Sequence, residues 1–131
     1  MVEEWSRWQP APNIEGRYYF DVLNTTEETL IIHLNSVNNT QRIQLTFKDP
    51  ALTYRYTNES WCFGIFGELS NKYDDDFYAK WSFFTITKSE YAHWALQQSK
   101  NNNAMTHFCI IGGDELIDIL ARHEPEITII K

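Results

Sequence analysis

The chain has 131 residues, of which 43% are hydrophobic and 22% charged, the size and composition of one folded domain whose core needs no staple. A net charge of −7 and a pI near 5.0 repel polyanions and anionic membranes, and no run of Lys and Arg offsets that balance. Nucleic-acid and membrane partners are therefore not expected, and no apolar stretch approaches the length of a membrane span.

Residues 1–16 carry Trp5, Trp8, Pro10, Pro12 and Gly16 without a sustained period and read as an irregular arm that docks its tryptophans. Its acidic start lacks the basic and apolar regions of a signal peptide, and two cysteines, Cys62 and Cys109, do not make a secreted disulfide framework, so the expected compartment is the cytoplasm. The glycosylation patterns at Asn24, Asn38 and Asn58 are then irrelevant.

Residues 17–131 read as a single α+β domain. Alternation predicts a strand from Arg17 through Leu23 and another from Thr29 to Ser36, separated by the polar loop from Asn24 to Glu28. Asn38 and Asn39 fit the positive-φ centre of a two-residue hairpin turn, which places Leu34 opposite Ile43, Ile32 opposite Leu45 and Leu30 opposite Phe47. The apolar alternation chooses the same pairing, leaving Ile31, His33, Asn35, Arg42, Gln44, Thr46 and Lys48 on the other face. Asp49-Pro50 ends that strand, and Leu52 to Thr57 reads as a fourth strand of an antiparallel meander.

From Asn58 to Tyr78 neither period fits, and Gly64 and Gly67 break the apolar run, so a short strand or frayed helical turn followed by an acidic loop is expected. Trp81 to Ile86 reads as a strand. Thr87-x-x-Glu90 has the spacing of a capping box that starts a helix running to Gln98, with Tyr91, Trp94, Ala95 and Gln98 on one face. After the Asn101–Asn103 linker comes a buried strand over Phe108–Ile111 and a turn at Gly112-Gly113. Asp114 is expected to cap a short helix through Leu116, Ile117, Ile119 and Leu120, stopped by Pro125, before a final strand with Ile127, Ile129 and Ile130. The expected architecture is an antiparallel or mixed sheet beginning with a meander, with two short helices packed on one face.

No constellation names a reaction. His33, His93, His107 and His123 are widely spaced, and only His107 and Cys109 share a strand face, too little for zinc; no metal or cofactor is expected. Cys62 and Cys109 lie in no catalytic motif and read as packing residues. Asp74, Asp75 and Asp76 lack the spacing and glycine of a calcium loop and read as a solvated acidic loop. Gly112-Gly113-Asp114 lacks the remaining residues of a phosphate-binding turn. Asp118, set in Leu116-Ile117-Asp118-Ile119-Leu120, reads as a solvent-facing or cap-linked helix carboxylate, with a buried functional acid as the alternative.

Trp81-Ser82-Phe83-Phe84, Ser89-x-Tyr91-x-x-Trp94, His107-Phe108-x-Ile110, Asp118-Ile119-Leu120 and Pro125-x-Ile127 together resemble a group of small bacterial single-domain α+β proteins. The resemblance spans about residues 17–130 through dispersed apolar positions. It implies a fold, and among such proteins are immunity proteins that bind and neutralise a toxin domain. The leading expectation is thus a protein-binding module, non-catalytic, covering a basic partner with an acidic surface that includes Asp74, Asp75 and Asp76. The alternative is a small-molecule-binding or enzymatic domain with a pocket between sheet and helices lined by Tyr54, Tyr56, Trp81 and Trp94; a homo-oligomer is the third.

Overall fold

Leu30, Ile32 and Leu34 lie opposite Phe47, Leu45 and Ile43, the register that alternation on one buried face demands. These residues belong to β3 (Thr29–Ser36) and β4 (Arg42–Lys48) of a computed structural model that describes residues 3–48, 53–61, 63–98, 105–113 and 115–130. With β2 (Tyr18–Thr26) before them they form the expected meander. The turn chemistry differs from expectation. Neither Asn38 nor Asn39 has a positive φ; instead Asn39 Oδ1 accepts the Gln41 N–H at 2.7 Å and Ser36 Oγ accepts the Asn38 N–H at 3.2 Å. The left-handed pair is Glu27 and Glu28, at φ 41° and 61°, which joins β2 to β3 in a two-residue hairpin between the partners Thr26 and Thr29.

The described residues form two sheets, and every strand pair among them is antiparallel. The four-stranded sheet has the order β2-β3-β4-β9, where β9 is Glu126–Ile130. The five-stranded sheet has the order β1-β6-β7-β8-β5, built from Glu4–Arg7, Phe83–Thr87, Thr106–Ile111, Glu115–Ala121 and Thr53–Asn58 respectively. The fourth expected strand is therefore real but leaves the meander: β5 pairs with β8, and β4 takes β9 as its outer neighbour. The expected Asp49-Pro50 strand end, the Asn101–Asn103 linker and the Asp114 cap lie outside the described residues.

The five-stranded sheet is the middle layer. One face meets the meander through Phe83, Phe108, Ile110, Ile117, Ile119 and Ala121, packed with Leu30, Ile32, Leu34, Ile43, Leu45 and Phe47. The other face presents Phe84, Ile86, Cys109, Ile111 and Leu116 to Leu69, Ile65, Phe66 and Phe77 of α1 (Phe63–Lys72) and α2 (Asp76–Ala79), with α3 (Glu90–Gln98) beside them. A strand covered on both faces needs apolar residues at every position. This explains the correction at residues 115–121: Leu116 to Leu120 is a strand, not a helix, and its apolar run, interrupted at Asp118, reflects two buried faces.

The arm is also more ordered than its composition suggests. Residues 4–7 extend the middle sheet along β6, Trp5 meets Phe84 edge-on at 5.7 Å, and Trp8 lies 4.8 Å from Phe108. Behind the arm, Arg17 donates to the carbonyls of Tyr78, Trp81 and Gly112, the last at 3.0 Å, tying β2 to the middle sheet. Burial lowers its pKa, yet these carbonyls satisfy much of its donor capacity. The turn from β7 to β8 needs Gly112 for space: a Cβ there would lie 2.4 Å from the Phe20 ring.

Candidate functional site

The site lies on the helix-covered face of the middle sheet. Side chains alternate across a strand, so β5 turns Arg55 toward the helices and turns Tyr54 and Tyr56 away; Tyr54 packs into the core against the meander. Arg55 is the cross-strand partner of Asp118 on β8, which is paired through Cys109 to β7. His107, two residues before Cys109, projects on the same face, one diagonal step from Asp118. Three neighbouring strands thus bring together residues that are far apart in sequence.

Their contacts form one chain. Arg55 Nε donates to Asp118 Oδ2 at 2.9 Å, His107 Nε2 lies 2.6 Å from Asp118 Oδ1, and His107 Nδ1 lies 2.6 Å from Ser89 Oγ. Ser89 Oγ also accepts the Ala92 N–H at 2.9 Å. Ser89, not Thr87, is therefore the N-cap of α3, and Thr87 instead donates to the Glu4 carbonyl. Lys88, at φ 55°, makes the bend that turns Ser89 inward. Tyr91, in the first turn of α3, closes the group: its ring meets His107 edge-on at 5.6 Å and lies 4.1 Å beneath the Arg55 guanidinium carbon.

His107 and Asp118 are almost fully buried. Burial pushes the Asp118 carboxyl up, but the hydrogen bond and charge of His107, and then those of Arg55, outweigh it and hold the group below its ordinary value. Asp118 is thus an ionised buried acid on a strand, in place of the solvent-facing helix carboxylate expected. An ionised Asp accepts only, so the proton faces it on His107 Nε2; in the neutral ring, Nδ1 then accepts the Ser89 hydroxyl.

This Ser-His-Asp order invites comparison with a nucleophilic triad, but the geometry serves another end. A triad histidine also has both ring nitrogens engaged, one by the acid and one by the serine, so the serine decides the comparison. A serine nucleophile needs an accessible Oγ, whereas Ser89 is buried and its oxygen caps a helix. What the chain does is fix Arg55.

Above it opens a cleft of about 620 Å³ between the middle sheet and α1, walled by Arg55, His107, Asp118, Leu116 and Ile86 below, by Glu68, Leu69 and Lys72 of α1, and by Glu3, Trp5, Tyr73 and Glu90 at the margin. Glu3 Oε2 accepts the Glu90 N–H at 2.9 Å, and Lys72 Nζ donates to the Glu3 carbonyl at 2.7 Å, so the arm forms one rim. Among the described residues no group of three metal-ligating side chains gathers, and no helix is long and apolar enough to cross a membrane.

The four aromatics expected to line a pocket are not brought together. Tyr54 and Tyr56 face away from the helices, with the Tyr56 hydroxyl on Glu115. Trp94 is exposed on α3, and Trp81 donates its indole N–H to the Trp8 carbonyl at 3.0 Å. Asp74, Asp75 and Asp76 are exposed directly after the cleft residue Tyr73, with Asp76 pairing Lys80 at 3.3 Å. Cys109 packs in the helix-side core, and Cys62 lies outside the described residues. Sequence reading singled out His107 and Asp118 separately and gave Arg55 and Ser89 no role in a site; pairing 106–111 with 115–121 as strands is the signal that joins His107 to Asp118. Comparison with protein-family models, with curated proteins and with solved structures finds no match, so function is argued from the site.

Proposed function

We propose that this protein is a protein-binding module that receives a basic side chain of its partner in the cleft. The observation that carries this reading is the charge on the cleft wall. Glu3, Glu68, Glu90 and Asp118 face only Arg55 and Lys72 there, and neither Glu68 nor Glu90 has an ion-pair partner among the described residues. Beyond the cleft, the net charge of −7 and the acidic loop at Asp74–Asp76 favour encounter with a basic surface. Trp61, 83% exposed on the turn before α1, and Trp94 on α3 are side chains of the kind that anchor interfaces.

The finer form of the proposal is masking of a basic cytoplasmic partner, the role of the immunity proteins found among the small bacterial α+β proteins that residues 17–130 resemble. A small-molecule ligand is the second reading, favoured by a volume within the range of ligand cavities. Affinity capture from the native cell, comparing wild type with a Glu68→Gln/Glu90→Gln variant, tests the first. A specific partner held by wild type and released by the variant is expected; equal retention by both proteins overturns the cleft as the receptor.

A further inference from the structure

We infer that Arg55 is a preorganised carboxylate receptor, and that the cleft takes the C-terminal arginine or lysine of a partner chain, its carboxylate on Arg55 and its side-chain cation on Glu68 and Glu90. This rests on the binding role proposed above and specifies what is bound. An Arg paired with a carboxylate for structural purposes tends to use two parallel N–H bonds to the two oxygens. Here a single bond forms, Arg55 Nε to Asp118 Oδ2, while His107 Nε2 engages Asp118 Oδ1. The Nη groups of Arg55 have no acceptor among the described residues.

The guanidinium is nonetheless held. Asp118 fixes its Nε edge, the Tyr91 ring 4.1 Å away fixes one face, and 53% of the side chain stays exposed at the cleft. A planar fork anchored on one edge with the opposite edge open matches the two oxygens of a carboxylate. His107 is the positioning residue, since its bond to Oδ1 orients the carboxylate with Oδ2 toward Arg55 Nε, and Ser89 with the Ala92 N–H holds His107 in turn. The surrounding Glu3, Glu68 and Glu90 disfavour a lone or doubly charged anion. A single carboxylate that brings its own cation meets both requirements, and a chain end with a basic side chain supplies the two within one residue.

The test is an NMR titration of the full isotope-labelled chain, following the Trp5 indole N–H and the Arg55 Nε–H. The probes are N-acetyl-L-arginine, which mimics a chain end, and N-acetyl-L-argininamide, which mimics an internal arginine. With wild type, the free carboxylate is expected to tighten binding about tenfold over the amide. Arg55→Lys, which keeps the charge but loses the fork, is expected to bring the two probes level. His107→Leu, which has no donor for Asp118 Oδ1 and so releases the carboxylate to turn toward Arg55, is expected to reduce the same preference. Equal binding of both probes by wild type overturns the carboxylate receptor while leaving a cation-binding cleft in place. A preference that survives Arg55→Lys also overturns it, and saturable binding of neither probe removes both the receptor and the cleft's basic ligand.

Discussion

Arg55 and Asp118 are direct cross-strand partners joined at 2.9 Å, yet one side chain is 53% exposed and the other 5%. The pair is therefore unequal in its consequences. Asp118→Asn leaves both His107 and Arg55 without an anion and is expected to cost about 3 kcal/mol in urea unfolding. Arg55→Gln removes a cation that water can largely replace and is expected to cost about 1 kcal/mol or less. Equal losses would contradict the positioning role of the buried acid, because a merely pairwise ion contact would respond alike to either truncation.

The same carboxylate predicts an acid limb. Burial opposes its ionisation, but His107 and Arg55 outweigh burial and hold the folded group below its ordinary value of 3.8. A group lowered on folding stabilises fully above its unfolded pKa and loses that stabilisation as pH falls through its folded value. Wild-type unfolding free energy should therefore decline below about pH 4 more steeply than that of Asp118→Asn. Parallel pH profiles for the two proteins, measured by denaturant melts, would remove Asp118 as the source.

The meander register was legible because β3 and β4 bury one face each, so alternation specifies both pairing and orientation. The site was not, because β8 is covered on both faces and its apolar run carries no period that distinguishes strand from helix. Reading residues 115–121 as a helix detached Asp118 from Arg55 and His107, whose proximity is purely a property of strand pairing. Tyr54 and Tyr56 misled for a related reason: the pleat sends them opposite to Arg55. In α1, Gly64 and Gly67 weaken local helix preference, and the helix is held by its Phe66 and Leu69 contacts instead.

Turn chemistry offers a separate check. Glu27 and Glu28 hold positive φ without glycine, in the hairpin where Asn-Gly is the favoured pair. Replacing them as Glu27→Asn/Glu28→Gly should stabilise by about 1 kcal/mol and raise Tm, since the strain of left-handed non-glycine residues is relieved. Asn39→Gly should act in the opposite sense, as Asn39 has no positive φ to relieve and its Oδ1 accepts the Gln41 N–H. A lowered Tm in the first variant would exclude a left-handed turn at Glu27-Glu28.

Steering and docking should separate in kinetics. Asp74, Asp75 and Asp76 are exposed beside the cleft, whereas Glu68 and Glu90 line it. Association with a basic partner should slow as salt rises, because the Debye length shrinks from about 10 Å at 0.1 M to about 3 Å at 1 M. Changing the three loop aspartates to Asn should reproduce part of that slowing with little change in dissociation or Tm, since exposed charges contribute little to folding. Glu68→Gln/Glu90→Gln should chiefly accelerate dissociation, because those carboxylates would contact the bound cation directly. Stopped-flow rates across a salt series for the three proteins distinguish the roles; salt-insensitive association, alike in all, would remove electrostatic steering and leave aromatic contacts such as Trp61 and Trp94 as the source of binding.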